Sequence, residues 1–188
     1  ALDACEKDDI VMLQNELPDT AGLIEAALER GLRTVLNPSP FDASLLKAPL
    51  ERLYALIVNE TEARGFLADE AEGVEAAGLM ALLERRYPDV NLILTLGSRG
   101  ACGRVPGAEP FFVPAVKMKA VDTTGAGDFY AAGFLSGLCD GLSLRQCGTI
   151  GAITAGKVIE VVGTTFGEEA WADIHRLVNK VKNEKYLF

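Results

Sequence analysis

Short apolar runs alternate with amphipathic stretches in the first half of the chain. Four of these runs have the length of buried strands: residues 10–14, 34–37, 53–58 and 92–96. Helical patterns lie between them, most clearly over residues 19–31 and 70–87. Strand–helix alternation is typical of a parallel sheet covered by helices, whose strands are apolar on both faces. The pattern therefore predicts an α/β fold, with residues 1–188 as a single domain.

The second half of the chain follows a different order. Gly and Pro punctuate residues 101–115, which favours two short antiparallel strands. Helical patterns then cover residues 126–139, 143–160 and 167–183. The apolar runs are far shorter than the roughly 20 residues of a membrane-spanning helix, so we expect no membrane partner.

Composition excludes some classes of partner. The formal net charge is -9 and no Lys/Arg run is longer than two, so a nucleic-acid partner is disfavoured. The four cysteines, which have neither zinc-site nor disulfide-framework spacing, are Cys5, Cys102, Cys139 and Cys147. Unpaired cysteines are typical of a reducing compartment, so we expect a cytoplasmic protein.

The strongest chemical signal is the segment Asp-Thr-Thr-Gly-Ala-Gly-Asp at residues 122–128, which opens a helical run. Its glycines let the backbone approach a ligand, and a helix N-terminus attracts an anion such as phosphate. The Asp128 carboxylate is unfavourable for binding an anion alone, but it suits a general base that deprotonates an attacking hydroxyl. Spacing alone leaves a second interpretation open, in which Asp128 caps a helix after a turn.

The segment at residues 122–128 resembles the second signature of the ribokinase/PfkB carbohydrate kinase family, in which DTxGAGD opens a helix. Residues 59–62 (Asn-Glu-Thr-Glu) resemble the NxxE element of that family, and residues 95–100 resemble its nucleotide-contacting strand end. Residues 14–16 and 37–40 also stand at family-like positions, in family order. The resemblance implies a three-layer α/β/α fold with a mostly parallel central sheet.

The resemblance also implies residue roles. Asp128 would be the general base, and the amides of Gly125, Ala126 and Gly127 would form an anion hole. The ATP site would be lined by Thr95, Gly97, Ser98, Gly100, Thr124, Gly127 and Gly163.

Metal and substrate roles are implied in the same way. Asn59 and Glu62 would organise Mg²⁺ and its waters; without the resemblance they would be a helix cap and a solvated glutamate. Asp122 and Thr124 would contribute to a monovalent-cation site for an ion such as K⁺. Glu16 would approach the substrate, together with Asp128.

The chain departs from the family in two ways. The N-terminal part of the family, with its Gly-Gly signature, most sugar-binding residues and a lid that often forms the dimer interface, is missing, and the chain opens without Met. We therefore expect a C-terminal portion that is inactive by itself, from a protein that dimerises through the lid. Tyr130 stands where many relatives carry Phe, and it either shapes the pocket floor or packs away from it.

The motifs leave two kinase functions open and disfavour a silent regulator and a dehydrogenase. The resemblance favours an ATP-dependent kinase that phosphorylates a primary hydroxyl of a sugar, with ribose as the default substrate. A nucleoside kinase, with adenosine as the main candidate, would use the same catalytic residues. A catalytically silent regulator would not need Asp128, and a dinucleotide-binding dehydrogenase lacks its GxGxxG after the first strand.

Overall fold

A computed structural model describes residues 2–183, which divide into two compact units. Of these residues, the first unit contains 2–96 and 104–110, and the second contains 97–103 and 111–183. The strands are β1 Ile10–Gln14, β2 Arg33–Asn37, β3 Ala55–Asn59, β4 Asn91–Thr95, β5 Ala101–Arg104 and β6 Phe111–Val113. The helices are α1 Thr20–Glu29, α2 Glu60–Leu67, α3 Ala76–Arg86, α4 Ala126–Cys139, α5 Leu144–Val158 and α6 Glu168–Lys182.

The first unit contains the four parallel strands β1 to β4, which pair in chain order. The inner strands are buried on both faces; Val35, Leu36 and Leu56 are at most 1% exposed. Asp19 caps α1 by accepting a hydrogen bond from the Gly22 N–H at 3.0 Å. Because β1, β2 and β3 are each followed by a helix or turns that return the chain to the opposite edge, all four strands run in one direction.

The second unit combines the antiparallel pair β5–β6 with α4, α5 and α6. Glycines let α4 and α5 pack closely: a Cβ added at Gly137 would lie 3.1 Å from the Cα of Cys147. Helix α6 buries Ile174 and Val181, and Val181 packs with Ile150 and Ile153 of α5. Helix α5 therefore lies between its neighbours and is covered along most of its length.

The predicted α/β class with mostly parallel strands is confirmed, and so is the antiparallel pair within residues 101–115. The helix expected over residues 70–87 begins later, at Ala76. Residues Ala68–Ala71 form a 3₁₀ turn instead, and Gly73 has a φ of 68°, which interrupts a right-handed helix. The assignment of residues 1–188 to a single domain stays a prediction. Within residues 2–183 no helix has the length and hydrophobicity to cross a bilayer.

Candidate functional site

The carboxyl edge of the parallel strands is polar. The last residue of each strand from β1 to β4 carries a hydroxyl or an amide: Gln14, Asn37, Asn59 and Thr95. Asn37 is 7% exposed; its amide donates to the Ile57 carbonyl at 3.0 Å and its oxygen accepts from Gln14 Nε2 at 3.3 Å. Ligands of open α/β sheets bind outside the carboxyl ends of the strands, so this edge is where a ligand is expected.

Asn59 and Glu62 form a reciprocal cap at the start of α2. Asn59 Oδ1 accepts from the Glu62 N–H, and Glu62 Oε2 accepts from the Asn59 N–H, each at 2.9 Å. Glu62 is only 5% exposed, and this burial raises the pKa of its carboxyl, although hydrogen bonds from Asn59 and Ser39 oppose the shift. The sequence interpretation of Asn59 as a cap is therefore correct, whereas Glu62 is buried rather than solvated.

The turn after β4 contains the predicted nucleotide-site residues Gly97, Ser98 and Gly100. Gly97 has a φ of 57°, and a Cβ built on it would meet nothing within 4 Å. Gly100 has a φ of 99°, and a Cβ there would lie 2.8 Å from the amide nitrogen of Ala115. Gly97 is thus open to a ligand. At Gly100 a glycine is required, because the backbone of residues 113–115 packs against it.

A glycine turn opens helix α4. Gly125 is its N-cap, with a φ of 75° and a ψ of 0°, and Phe129 N–H donates to the Gly125 carbonyl at 2.9 Å. Ala126 N–H donates to the Thr123 carbonyl at 3.2 Å, which closes the turn. A Cβ at Gly127 would meet nothing within 4 Å. First-turn amides have no acceptor within their own helix, so the Gly127 N–H lies at the positive end of the helix dipole without an intrahelical acceptor.

Asp128 lies in this first turn of α4, and its side chain is exposed. A carboxylate at this position follows the first-turn amides directly in the chain. It can accept a proton from a hydroxyl brought to the turn, while the amides stabilise an anion there.

Asp122 connects the glycine turn to the loop that follows α5. Its Oδ1 accepts from the Thr124 N–H at 2.9 Å and the Thr124 hydroxyl at 2.7 Å, and its Oδ2 accepts from the Gly163 N–H at 3.1 Å. These bonds, that of the Thr124 hydroxyl first, hold the pKa of Asp122 below its usual value. A carboxylate offers about four acceptor positions, of which three are used here.

Helix α5 also contacts the start of α4. The Thr154 hydroxyl of α5 lies 2.6 Å from the Phe129 carbonyl oxygen, to which it donates. Tyr130 is 6% exposed, and a Cβ at Gly151 would lie 3.2 Å from its ring. Tyr130 therefore packs between α4 and α5, which decides between its two predicted positions.

Hydrogen bonds connect the predicted site residues within two separate sets. Asn59 and Glu62 contact each other, and Asp122 contacts Thr124 and Gly163. Glu16 is an exposed residue just after β1.

Sequence reasoning missed the supporting contacts of Ser39 with Glu62 and of Thr154 with Phe129. The family-like position of residues 37–40 was the one available signal for Ser39. No spacing rule pointed to Thr154, because its partner lies 25 residues away in the chain.

A polar carboxyl edge on parallel strands and a glycine turn that opens a helix are typical of α/β proteins that bind phosphorylated ligands. The chain belongs to the pfkB family carbohydrate kinases, whose family model matches residues 3–171.

Curated relatives include kinases of two substrate classes. The chain is 28% identical over 159 residues to a ribokinase of Arabidopsis thaliana, covering 82% of this chain and 41% of that protein. It is 39% identical over 90 residues to a nucleoside kinase of Methanocaldococcus jannaschii, covering 47% of this chain and 30% of that protein. The chain spans about half the length of the ribokinases it matches, from 41% to 57%.

Solved structures show the same fold. The ribokinase of Cryptococcus neoformans in complex with ADP has a TM-score of 0.72 and 30% identity, over 93% of this chain and 60% of that one. The ribokinase of Thermotoga maritima has a TM-score of 0.71 and 26% identity, over 89% of this chain and 57% of that one.

Proposed function

We propose that this chain supplies the ATP-binding and catalytic part of a kinase that transfers the γ-phosphoryl group of ATP to a primary hydroxyl of a sugar, with ribose as the first candidate. The observation that carries the proposal is the exposed carboxylate of Asp128 in the first turn of α4, directly after the left-handed Gly125. The ribokinases among its relatives support the choice of a sugar.

Asp128 is the general base in this proposal. Its carboxylate takes the proton of the attacking hydroxyl, and the amides of Gly125 and Gly127 stabilise the charge that develops on the transferred phosphoryl group. Ala126, the third predicted member of the anion hole, uses its N–H to close the turn on Thr123. The anion hole therefore depends chiefly on Gly125 and Gly127.

ATP is the phosphoryl donor in the proposal. It would meet the predicted residues of the turn after β4, of the glycine turn and of the loop after α5: Thr95, Gly97, Ser98, Gly100, Thr124, Gly127 and Gly163. The open space beside Gly97, Gly127 and Gly163 supports this assignment, since a ligand can approach the backbone there.

Magnesium is the metal expected with ATP, and it neutralises phosphate charge when bound. Mg²⁺ is commonly held by one or two carboxylates together with waters and phosphate oxygens, which the buried Glu62 beside Asn59 fits. The monovalent-cation site at Asp122 and Thr124 is a weaker proposal, because most of the acceptor positions of Asp122 are already used. Glu16 would approach the substrate.

A nucleoside kinase is the second candidate. The 39% identity over 90 residues to the nucleoside kinase of Methanocaldococcus jannaschii supports it. Both candidates use Asp128 in the same role, so they differ in acceptor and not in chemistry. The predicted inactivity of residues 1–188 alone, the cytoplasmic location and the dimer through a lid stay predictions.

The test uses the protein that contains this chain. ATP consumption is measured with ribose, fructose, other sugars and nucleosides, with and without K⁺. Asp128→Asn is expected to lower kcat by roughly 10²- to 10⁴-fold, the usual contribution of a general base, with little change in nucleotide affinity.

Asp140→Asn is the matched control, because Asp140 caps the opposite end of the same helix and pairs with Lys182 at 2.7 Å. Near-normal turnover of the Asp128→Asn protein would remove Asp128 from the role of base. A preference for nucleosides over every sugar would replace the first candidate by the second.

A further inference from the structure

We infer that Asp122 is a positioning residue, which braces the glycine turn at the start of α4 by holding the loop around Gly163 against it. The inference rests on the proposed function, because the braced turn is the segment assigned to the transferred phosphoryl group. It gives Asp122 a role that needs no bound cation.

The two braced segments are both irregular. Residues 114–125 reach α4 without a helix or strand, and residues 159–167 form the loop between α5 and α6. Backbone hydrogen bonds join them where the N–H groups of Val121 and Asp122 both donate to the Ile159 carbonyl, at 2.7 Å and 3.2 Å. Side-chain contacts add to this connection.

The Asp122 carboxylate supplies that connection with its two oxygens. Oδ1 faces the turn and accepts both bonds from Thr124, whereas Oδ2 faces the loop and accepts the bond from Gly163, 41 residues away. Hydrogen bonds to an ionised acceptor are stronger than those between neutral groups. One side chain therefore fixes the turn and couples it to the loop.

Apolar contacts continue along the same two segments. Thr164 packs against the N-cap of α4, since a Cβ on Gly125 would lie 2.8 Å from its methyl carbon. The Phe166 ring lies 4.9 Å from the Phe129 ring, edge to face. The loop thus contacts Gly125, which precedes Asp128 in the chain, and Phe129, which follows it. These apolar contacts are not directional, so on the Gly163 side of the Ile159 bonds the hydrogen bond from Gly163 to Asp122 is the directional contact between loop and turn.

Asp122→Asn removes this bond selectively. The amide oxygen of Asn can still accept from Thr124, but its NH₂ group would face the Gly163 N–H, donor against donor. The turn would keep its internal bonds and its backbone bonds to Ile159, but would lose the hydrogen bond from Gly163. Misplacement of the turn by a fraction of an ångström is enough to slow a reaction that depends on positioning.

The experiment combines amide hydrogen exchange with kinetics, on the protein that contains this chain. In Asp122→Asn, we expect exchange of the Gly163 amide to rise roughly tenfold or more, since a charge-assisted hydrogen bond is lost. We expect kcat to fall roughly ten- to hundredfold, with KM for ATP and for the acceptor within about threefold of the parent.

Two further variants serve as a control and as a test of partial rescue. Asp42→Asn is the matched control: Asp42 also accepts a backbone N–H, from Ser44 at 2.8 Å, but lies in the other unit, so its variant should leave Gly163 exchange and kcat unchanged. Asp122→Glu keeps two carboxylate oxygens and should restore part of the protection of Gly163.

The outcomes separate this inference from the proposed function. Unchanged Gly163 exchange in Asp122→Asn overturns the brace, whatever happens to turnover. Increased exchange in a protein that phosphorylates no sugar or nucleoside supports the brace and refutes the proposed function. If Asp122→Asn does not fold, the parent protein decides: a Gly163 amide that exchanges as fast as in an unstructured peptide overturns the brace.

Discussion

Tyr130 offers the most direct test of the packing between α4 and α5. Its side chain is buried, and its Oη has no hydrogen-bond partner within residues 2–183. Burial raises the pKa of this hydroxyl far above its ordinary value, so it stays protonated. A buried hydroxyl without a partner costs about 1–3 kcal/mol of folding free energy.

Tyr130→Phe removes the hydroxyl and keeps the ring. We therefore expect the free energy of unfolding to rise by about 1–3 kcal/mol. For a protein of this size, each kcal/mol corresponds to roughly 2–4 °C, so Tm should rise by roughly 2–12 °C. Urea titration and calorimetry on the purified variant would measure both quantities.

Tyr87→Phe is the matched control. Tyr87 is also buried, at 5% exposed, but its hydroxyl shares a hydrogen bond with Arg86. Loss of the Tyr87 hydroxyl should be neutral or destabilising, by up to about 3 kcal/mol, because its partner is charged. If Tyr130→Phe instead lowers the free energy of unfolding as Tyr87→Phe does, the Tyr130 hydroxyl is satisfied and the reasoning fails.

Two further predictions concern the same helical unit. Gly151→Ala should lower the free energy of unfolding by about 1–3 kcal/mol, because the added Cβ would lie 2.8 Å from the Tyr130 carbonyl oxygen. A helical Gly→Ala change usually raises the free energy of unfolding, and such a rise in a urea titration would contradict the prediction. Asp173→Asn should lower Tm at pH 7, because a hydrogen bond from Arg176 and the neighbouring Lys157 hold the pKa of Asp173 below its usual 3.8. A lowered carboxyl pKa stabilises the fold above that value and ceases to do so as the pH falls through the lowered pKa, so the Tm difference should vanish in acid. A difference that persists there would show that it has another cause.

Much of the fold could be predicted because local chemistry determines it. The strand β1 and the helix α4 have the predicted bounds, and α4 begins where Gly125 supplies a left-handed N-cap. The start of α3 was misplaced because helical spacing of apolar residues continues through Ala71 and Val74, while Gly73 turns the chain. The 3₁₀ turns Ala43–Lys47 and Leu50–Arg52 have no periodicity that a sequence pattern could reveal.

The candidate site was predictable in residue type but not in contacts. The cap formed by Asn59 and Glu62 follows from their spacing of three residues. The burial of Glu62 does not, because it depends on Ser39, which is remote in sequence. The bond between Asp122 and Gly163 is likewise a long-range contact, which neither spacing nor composition encodes.

The aromatic contacts beside the glycine turn have a practical consequence. Phe129 follows Asp128 directly in the chain. The centroids of the Phe129 and Phe166 rings are 4.9 Å apart, and those of the Phe166 and Trp171 rings are 5.1 Å apart. Trp171 is the only tryptophan of the chain, and it is 45% exposed. The protein thus contains an intrinsic fluorophore that is linked to Phe129 through the Phe166 ring. Its emission reports on the segment beside the proposed phosphoryl site, without any attached dye.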